Sequence, residues 1–220
     1  MPPKEGFLAG LRALCDKYGA LLIFDEVITG FRVAYGGAAA RYSVTPDLAA
    51  FGKIVGGGMP LAAYGGRREV MELVAPLGGV YQAGTLSGNP VATAAGLATL
   101  AILRENRDKI YPQLEEGGAR LQAAFARAGV PAGRVGSILT PFFAPRAPEN
   151  YAQATSCDTR AFARYFNAML QAGIYVAPSQ FEAMFLSAVH TPEHLSATER
   201  AIAHAVSAAR AAENAENNVN

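Results

Sequence analysis

The apolar run Ala20–Phe24 constrains the fold of this chain more than any other feature of its sequence. An uninterrupted apolar run that ends abruptly, in this case at Asp25-Glu26, predicts a strand that is covered on both faces. A helical spacing of apolar residues over Phe7–Tyr18 precedes it, and Gly19 provides a helix end. Buried strands that alternate with helices are typical of an α/β layer with a mainly parallel sheet.

The pattern continues to Gly129, and Asn89-Pro90 marks the start of a long helix, with a capping residue followed by proline. The other predicted elements of this part are strands Leu48–Phe51 and Leu61–Tyr64 and helices over residues 67–74, 89–106 and 107–128. We therefore predict that residues 1–129 belong to a larger α/β domain.

After Gly129 the pattern changes, and we predict a smaller α+β domain over residues 130–213. Its predicted elements are strands at 138–144, 174–177 and 184–189, a loop at 145–157, a helix around 162–170 that ends before Gly173, and a last helix opened by a capping box of Ser196 and Glu199. We expect the polar tail, residues 214–220, to fray.

Composition excludes several classes of protein. The 19 basic and 18 acidic side chains give a net charge of +1, which argues against binding to nucleic acid or to an anionic membrane. No apolar stretch is long enough for a membrane helix. Cys15 and Cys157 are far apart, as expected for inert thiols in a cytoplasmic protein. The three histidines lack a paired zinc spacing, so we expect no metal site.

Lys53 differs from the other lysines because it lies among apolar residues and glycines. Such surroundings disfavour the charged ammonium and favour the free amine that a Schiff base with an aldehyde cofactor requires. Asp25 follows a buried strand, and ligands of α/β proteins bind at the carboxyl ends of such strands. The alternatives are a loop lysine paired with a carboxylate and an aspartate that caps a helix.

Together the two residues fit pyridoxal phosphate, which needs a lysine for its aldehyde and commonly a carboxylate for its pyridinium nitrogen. The segment Tyr81–Pro90 contains small and hydroxyl-bearing residues before a helix, which suits phosphate binding. It is equally compatible with a simple turn and helix cap.

Three segments resemble the class III (subgroup II) aminotransferase family: Phe24–Arg32, Thr45–Gly66 and Tyr81–Leu100. The resemblance implies the aspartate-aminotransferase fold (fold type I), with part of a large α/β domain that has a mainly parallel sheet and a smaller C-terminal α+β domain. It implies that Lys53 forms the covalent aldimine with pyridoxal 5'-phosphate, that Asp25 pairs with the ring nitrogen, and that Val27 packs on the ring. Gly84 and Thr85 would bind the cofactor phosphate of the partner subunit, which implies a homodimer.

The later segment Tyr165–Thr191 is most similar to the aminomutase branch of the family, which transfers an amine within one substrate and uses the pyridoxamine form of the cofactor. Glu182 matches an acidic residue near that branch's active site, although a solvated loop glutamate has the same local pattern. The branch implies production of 5-aminolevulinate for tetrapyrroles, and its pathway suggests glutamyl-tRNA reductase as a partner.

Two alternatives stay open. One is an ordinary class III aminotransferase with a 2-oxo acid acceptor. The other is an inactive half of such an enzyme, because the family's main phosphate loop and ring-stacking aromatic residue have no counterpart upstream of Asp25.

Overall fold

The computed structural model describes residues 1–217, with side chains up to residue 211. The chain divides into two compact units. The N-terminal unit comprises Pro3–Lys109, and the C-terminal unit begins at Ile110 and also includes Met1 and Pro2.

The N-terminal unit contains four helices, three strands and one 3₁₀ turn among the described residues. In chain order they are α1 (Phe7–Tyr18), β1 (Ile23–Glu26), α2 (Gly37–Tyr42), β2 (Leu48–Phe51), the 3₁₀ turn Lys53–Gly56, β3 (Ala63–Gly66), α3 (Arg68–Met71) and α4 (Pro90–Glu105). The predicted bounds of α1 and β2 are confirmed, and Gly19 ends α1 with a left-handed φ of 65°.

The sheet of this unit has the strand order β1-β2-β3. β1 runs parallel to β2, with Ile23 opposite Leu48 and Glu26 opposite Phe51, whereas β3 is antiparallel to β2. The described strands therefore contain one pairing of each kind, which differs from the mainly parallel sheet that we predicted.

β1 also differs from its prediction, because it begins at Ile23 and includes both acidic residues. Its side chains alternate between two faces. Phe24 and Glu26 lie on the more buried face, while Ile23 is 60% exposed and Asp25 is exposed with it. Within the described residues, β1 is thus covered on one face and not on both.

Asp47 connects the beginning of this sheet to two neighbouring segments, and it is only 5% exposed. Its Oδ2 accepts hydrogen bonds from the Leu22 N–H and from Arg12 Nη1, both at 2.7 Å. Its Oδ1 accepts a third, from Arg67 Nη1, at 3.0 Å. These hydrogen bonds hold the pKa of the Asp47 carboxyl far below its usual range, so the group stays ionised in the folded chain.

The C-terminal unit consists of helices around a small antiparallel sheet. Its elements are α5 (Arg107–Arg127), β4 (Ala132–Val135), β5 (Ile138–Pro141), α6 (Tyr151–Thr155), α7 (Thr159–Gln171), β6 (Met184–Phe185) and α8 (Pro192–Asn217), with the strand order β4-β5-β6. Phe125, Tyr165, Met169 and Ile202 are fully buried at the centre of its core.

The predicted domain boundary at 129/130 differs from this division, because α5 buries Leu114, Leu121 and Phe125 in the core of the C-terminal unit. The unit therefore begins near the start of α5. Residues 214–217, predicted to fray, continue α8, and residues 218–220 lie outside the described part of the chain.

Other predictions for this unit need correction. β4 was not predicted, the loop at 145–157 contains α6, and residues 174–177 form no strand. α8 begins at Pro192, so Ser196 and Glu199 do not open it. Thr191 and His194 cap it instead: the His194 N–H donates to Thr191 Oγ1 at 3.3 Å, and the Thr191 N–H donates to His194 Nδ1 at 3.2 Å.

Within residues 1–217, no helix combines the length and the apolar character that crossing a membrane would require.

Candidate cofactor site

Asp25 and Lys53 lie at the same edge of the first sheet. In the parallel pair β1–β2, Asp25 is opposite Ala50, and Lys53 follows the end of β2 by two residues. Because the carboxyl ends of parallel strands share one edge, the fold brings a carboxylate and a primary amine to neighbouring strand ends. The sequence predicted this juxtaposition, and the chemical roles of the two residues stay predictions.

The Asp25 side chain is exposed and is oriented by its own backbone. Its Oδ1 accepts a hydrogen bond from the Val27 N–H at 3.0 Å, which closes a short turn just beyond the strand. The structure thus fixes one carboxylate oxygen on the turn and leaves the group accessible on the open face of β1.

Lys53 begins the 3₁₀ turn in the left-handed region, with a φ of 50°. This conformation is unfavourable for a residue with a Cβ, by roughly 1–2 kcal/mol, and such residues cluster at functional sites. The Lys53 side chain is exposed, so the apolar enclosure that the sequence predicted is not formed by the described residues. The neighbouring Val55 and Gly56 are buried and account for the apolar pattern.

The turn that carries Lys53 lies directly against α4, and two glycines allow this approach. A Cβ at Gly57 would overlap Thr99 Oγ1, and a Cβ at Gly96 would lie 2.6 Å from the Val55 carbonyl oxygen. At Gly96 the neighbouring atom belongs to the backbone, so only glycine is small enough there, and at Gly57 the positive φ of 58° favours glycine as well. The backbone position of the turn is therefore set by α4.

Val27 lies beside the residue that precedes the lysine. A Cβ added at Gly52 would lie 3.2 Å from Val27 Cγ1, so the valine side chain occupies the space over Gly52. The predicted ring-packing residue is thereby placed between the two strand ends.

Gly84 and Thr85, the predicted phosphate-binding residues, are exposed in the loop before α4. The Ser87 N–H donates to the Gly84 carbonyl oxygen at 2.9 Å, which makes this part of the loop a tight turn. Asn89 caps α4 by accepting the Ala92 N–H at 3.0 Å, and Pro90 is the first helical residue, as predicted.

Glu182, the predicted substrate residue, lies in the C-terminal unit and is exposed. Thr140 Oγ1 donates to its carbonyl oxygen at 3.2 Å, which attaches the loop before β6 to β5. Sequence reasoning missed Gln180 in the same loop, which is buried and finds no hydrogen-bond partner for either end of its amide among the described residues.

Sequence reasoning also missed Glu26, a buried carboxylate next to Asp25. The alternation of side chains along β1 could have identified it, because Glu26 lies on the same face as Phe24 and on the opposite face from Asp25.

The chemistry of the donor set fits pyridoxal phosphate. An accessible amine can bond to the aldehyde, and a carboxylate at the same sheet edge can accept a hydrogen bond from the ring nitrogen. The Val27 side chain over Gly52 offers an apolar surface beside Lys53.

Comparisons with known proteins agree with this chemistry. Glutamate-1-semialdehyde 2,1-aminomutase of Pelotomaculum thermopropionicum is 52% identical over 215 residues, which are 95% of this chain and 49% of that protein. The solved structure of an omega-transaminase from Sphaerobacter thermophilus is 32% identical with a TM-score of 0.80, and the match covers 96% of this chain and 49% of that one. A transaminase described as having PLP bound is 27% identical with a TM-score of 0.79, over 96% and 49% of the two chains.

The chain spans about half the length of these relatives. Residues 1–206 match the family described as aminotransferase class-III. With that match over most of its length, and with the lysine and aspartate at one edge of an α/β sheet, the chain belongs to the class-III aminotransferase family.

Proposed function

We propose that this chain supplies the lysine and the ring-nitrogen carboxylate of a pyridoxal-phosphate-dependent aminomutase. The enzyme would convert (S)-4-amino-5-oxopentanoate to 5-aminolevulinate, a precursor of tetrapyrroles, by moving an amine within one substrate. The observation that carries the proposal is the parallel register of β1 and β2, which brings Asp25 and Lys53 to one edge. The aminomutase relative, 52% identical, supports the choice of reaction.

Each residue of the proposed site has a distinct task. Lys53 Nζ would bind the cofactor covalently and, when released from it, would take a proton from a substrate carbon and return one to another. Asp25 would accept a hydrogen bond from the pyridinium nitrogen and keep it protonated. Val27 would pack on one face of the ring. Bound pyridoxal phosphate, or its pyridoxamine form, supplies the electron sink for the carbon that loses the proton.

The charges around Glu182 support an aminomutase over an aminotransferase that uses a 2-oxo acid. An acceptor of that kind needs a cation for its α-carboxylate, yet residues 165–199 contain no arginine or lysine. The carboxylate of Glu182 would repel such an acid and tolerate an intermediate with two amines. The second candidate is nevertheless a class III aminotransferase, because the two solved structures compared above, at 32% and 27% identity, are described as transaminases.

The proposal includes a cytoplasmic homodimer. In it, Gly84 and Thr85 would bind the phosphate of the cofactor in the partner subunit, since both residues are exposed in the loop before α4. Glutamyl-tRNA reductase is the proposed partner protein, since its product would be the substrate.

The first experiment is a spectroscopic titration of the chain with pyridoxal phosphate. We expect the visible absorption band of a lysine-bound cofactor in the wild-type chain, and we expect Lys53→Ala to abolish it. Lys109→Ala is the matched control, because Lys109 is exposed on a helix, and this variant should keep the band. A wild-type chain without the band would refute cofactor binding by this chain.

The second experiment separates the two reactions. The chain, loaded with pyridoxamine phosphate, receives glutamate 1-semialdehyde without any amino acceptor. We expect 5-aminolevulinate to form. Formation only after a 2-oxo acid or a second amine donor is added would favour the aminotransferase and would overturn the aminomutase.

A further inference from the structure

Glu26 is a buried carboxylate that adjoins the proposed cofactor residue Asp25. It is the last residue of β1 and only 1% exposed, and its side chain lies on the opposite face of the strand from Asp25. A carboxylate is strongly disfavoured in such a place unless hydrogen-bond donors surround it. The burial of the Glu26 carboxylate therefore requires a structural explanation.

Three donors surround the Glu26 carboxylate. Thr29 Oγ1 and the Ala38 N–H, the latter at 2.9 Å, donate to Oε2, and the Ala39 N–H donates to Oε1 at 2.8 Å. Ala38 and Ala39 are in the first turn of α2, whose own N-cap, Gly36, offers no side-chain cap. Glu26 thus caps α2 from the end of β1, where a negative charge is also favoured by the helix dipole.

Two glycines, Gly37 and Gly30, pack closely against Glu26 and restrict its position. Gly37 has a φ of 66°, and a Cβ there would lie 2.5 Å from Glu26 Oε2. The Gly30 N–H donates to the Glu26 carbonyl oxygen at 2.8 Å, and a Cβ at Gly30 would lie 2.7 Å from that oxygen. The side chain and the carbonyl of Glu26 are therefore both fixed.

The residues on either side of Glu26 belong to the proposed site. Because Glu26 is held on the buried face of β1, the side chain of Asp25 points to the opposite face. Val27 lies over Gly52, which immediately precedes Lys53. Glu26 is also opposite Phe51, the last residue of β2. Any shift of Glu26 would therefore move both strand ends.

We infer that Glu26 is a positioning residue, whose anchorage to α2 sets Asp25 and, through Val27 and Gly52, the backbone at Lys53 for a bound cofactor. This inference rests on the proposed function. Glu26→Gln tests it with the least change of shape, because the amide must turn its NH₂ group towards at least one N–H donor of α2. The loss of one charge-assisted hydrogen bond corresponds to a change of about tenfold in an equilibrium constant.

The first measurement needs no cofactor and uses hydrogen exchange of backbone amides in the full chain. In Glu26→Gln we expect about tenfold faster exchange in the first turn of α2 and also at Val55, whose N–H donates to the Gly52 carbonyl oxygen at 3.2 Å. Faster exchange in α2 alone would mean that Glu26 only caps a helix, and it would overturn the inference.

The second measurement is the absorption titration with pyridoxal phosphate. We expect the apparent Kd of Glu26→Gln to be about tenfold weaker than that of the wild type. Glu105→Gln, which neutralises an exposed carboxylate of the same unit, should match the wild type in both measurements. An unchanged Kd in Glu26→Gln would overturn the inference, whereas a wild-type chain without the band refutes the proposed function and leaves the exchange result to decide on Glu26.

Thr29→Val is the milder second variant, in case Glu26→Gln does not fold. It removes one of the three donors and keeps both α2 amides. We expect changes in the same direction but smaller, and exchange at Val55 equal to that of the wild type would count against the inference.

Discussion

Two adjacent glycines of α5 should respond differently to the same substitution, with a loss of stability at only one of them. Gly117 and Gly118 are both buried inside the helix, where replacing glycine by alanine ordinarily stabilises by about 1 kcal/mol. At Gly117 an added Cβ would lie 3.3 Å from Leu186 Cδ1 and 3.5 Å from Leu195 Cδ1. These are ends of flexible side chains that can shift by a few tenths of an ångström, so we expect Gly117→Ala to be neutral or slightly stabilising.

At Gly118 the added Cβ would overlap the carbonyl oxygen of Gly136 in the turn between β4 and β5. That oxygen accepts a hydrogen bond from Arg134 Nη1 at 2.9 Å, and the same nitrogen pairs with Glu115 at 2.7 Å. Overpacking costs about 1–3 kcal/mol, and the loss of a hydrogen bond to a charged group adds about 1.5 kcal/mol. After the gain of about 1 kcal/mol in helix propensity is subtracted, we expect Gly118→Ala to lower the free energy of unfolding by about 1.5–3.5 kcal/mol.

The assay is urea-induced unfolding followed by far-UV circular dichroism, with both variants measured beside the wild type. Hydrogen exchange of α5 and α8 assigns any change to the C-terminal unit. A Gly118→Ala chain as stable as Gly117→Ala would refute the argument, because it would show that the turn at Gly136 yields without cost.

Two further predictions concern acid stability and helix capping. The pKa of Asp47 is lower in the folded than in the unfolded chain, so its stabilising contribution is complete above the unfolded pKa of about 4 and is lost as the pH falls towards the folded pKa. The stability deficit of Asp47→Asn in urea titrations should therefore be largest at neutral pH and shrink below about pH 4, and a deficit that does not vary with pH would contradict the ionised role. Thr191→Ala should lower the free energy of unfolding by about 1 kcal/mol, because it removes the side-chain acceptor of the His194 N–H, and a variant as stable as the wild type in urea would contradict this cap.

The sequence predicted the features of the site that local patterns encode. Asp25 and Lys53 were identifiable because each follows a short apolar run of the sequence, and the start of α4 because a capping asparagine and a proline occur together. The alternation of helices and strands implies that β1 and β2 are parallel, and parallel strands have their carboxyl ends at the same edge of the sheet.

The missed features depend on partners that are distant in sequence or have atypical side chains. Glu26 resembles any polar residue after a strand until α2 is folded against it. β3 includes Gly65 and Gly66, which resemble a strand end, yet a Cβ at Gly66 would overlap the Asp47 carbonyl oxygen, so glycine is required inside the strand. In the cap of α8, an imidazole takes the place of the usual carboxylate, which hides the motif.

The left-handed backbone at Lys53 means that folding and chemistry make opposite demands on this position. Glycine would adopt the same φ without the steric cost, so the stability of the chain alone gives lysine no advantage there. A library of variants screened only for resistance to heat would drift towards glycine at 53 and lose the amine. A screen for cofactor retention would keep the lysine and accept its cost.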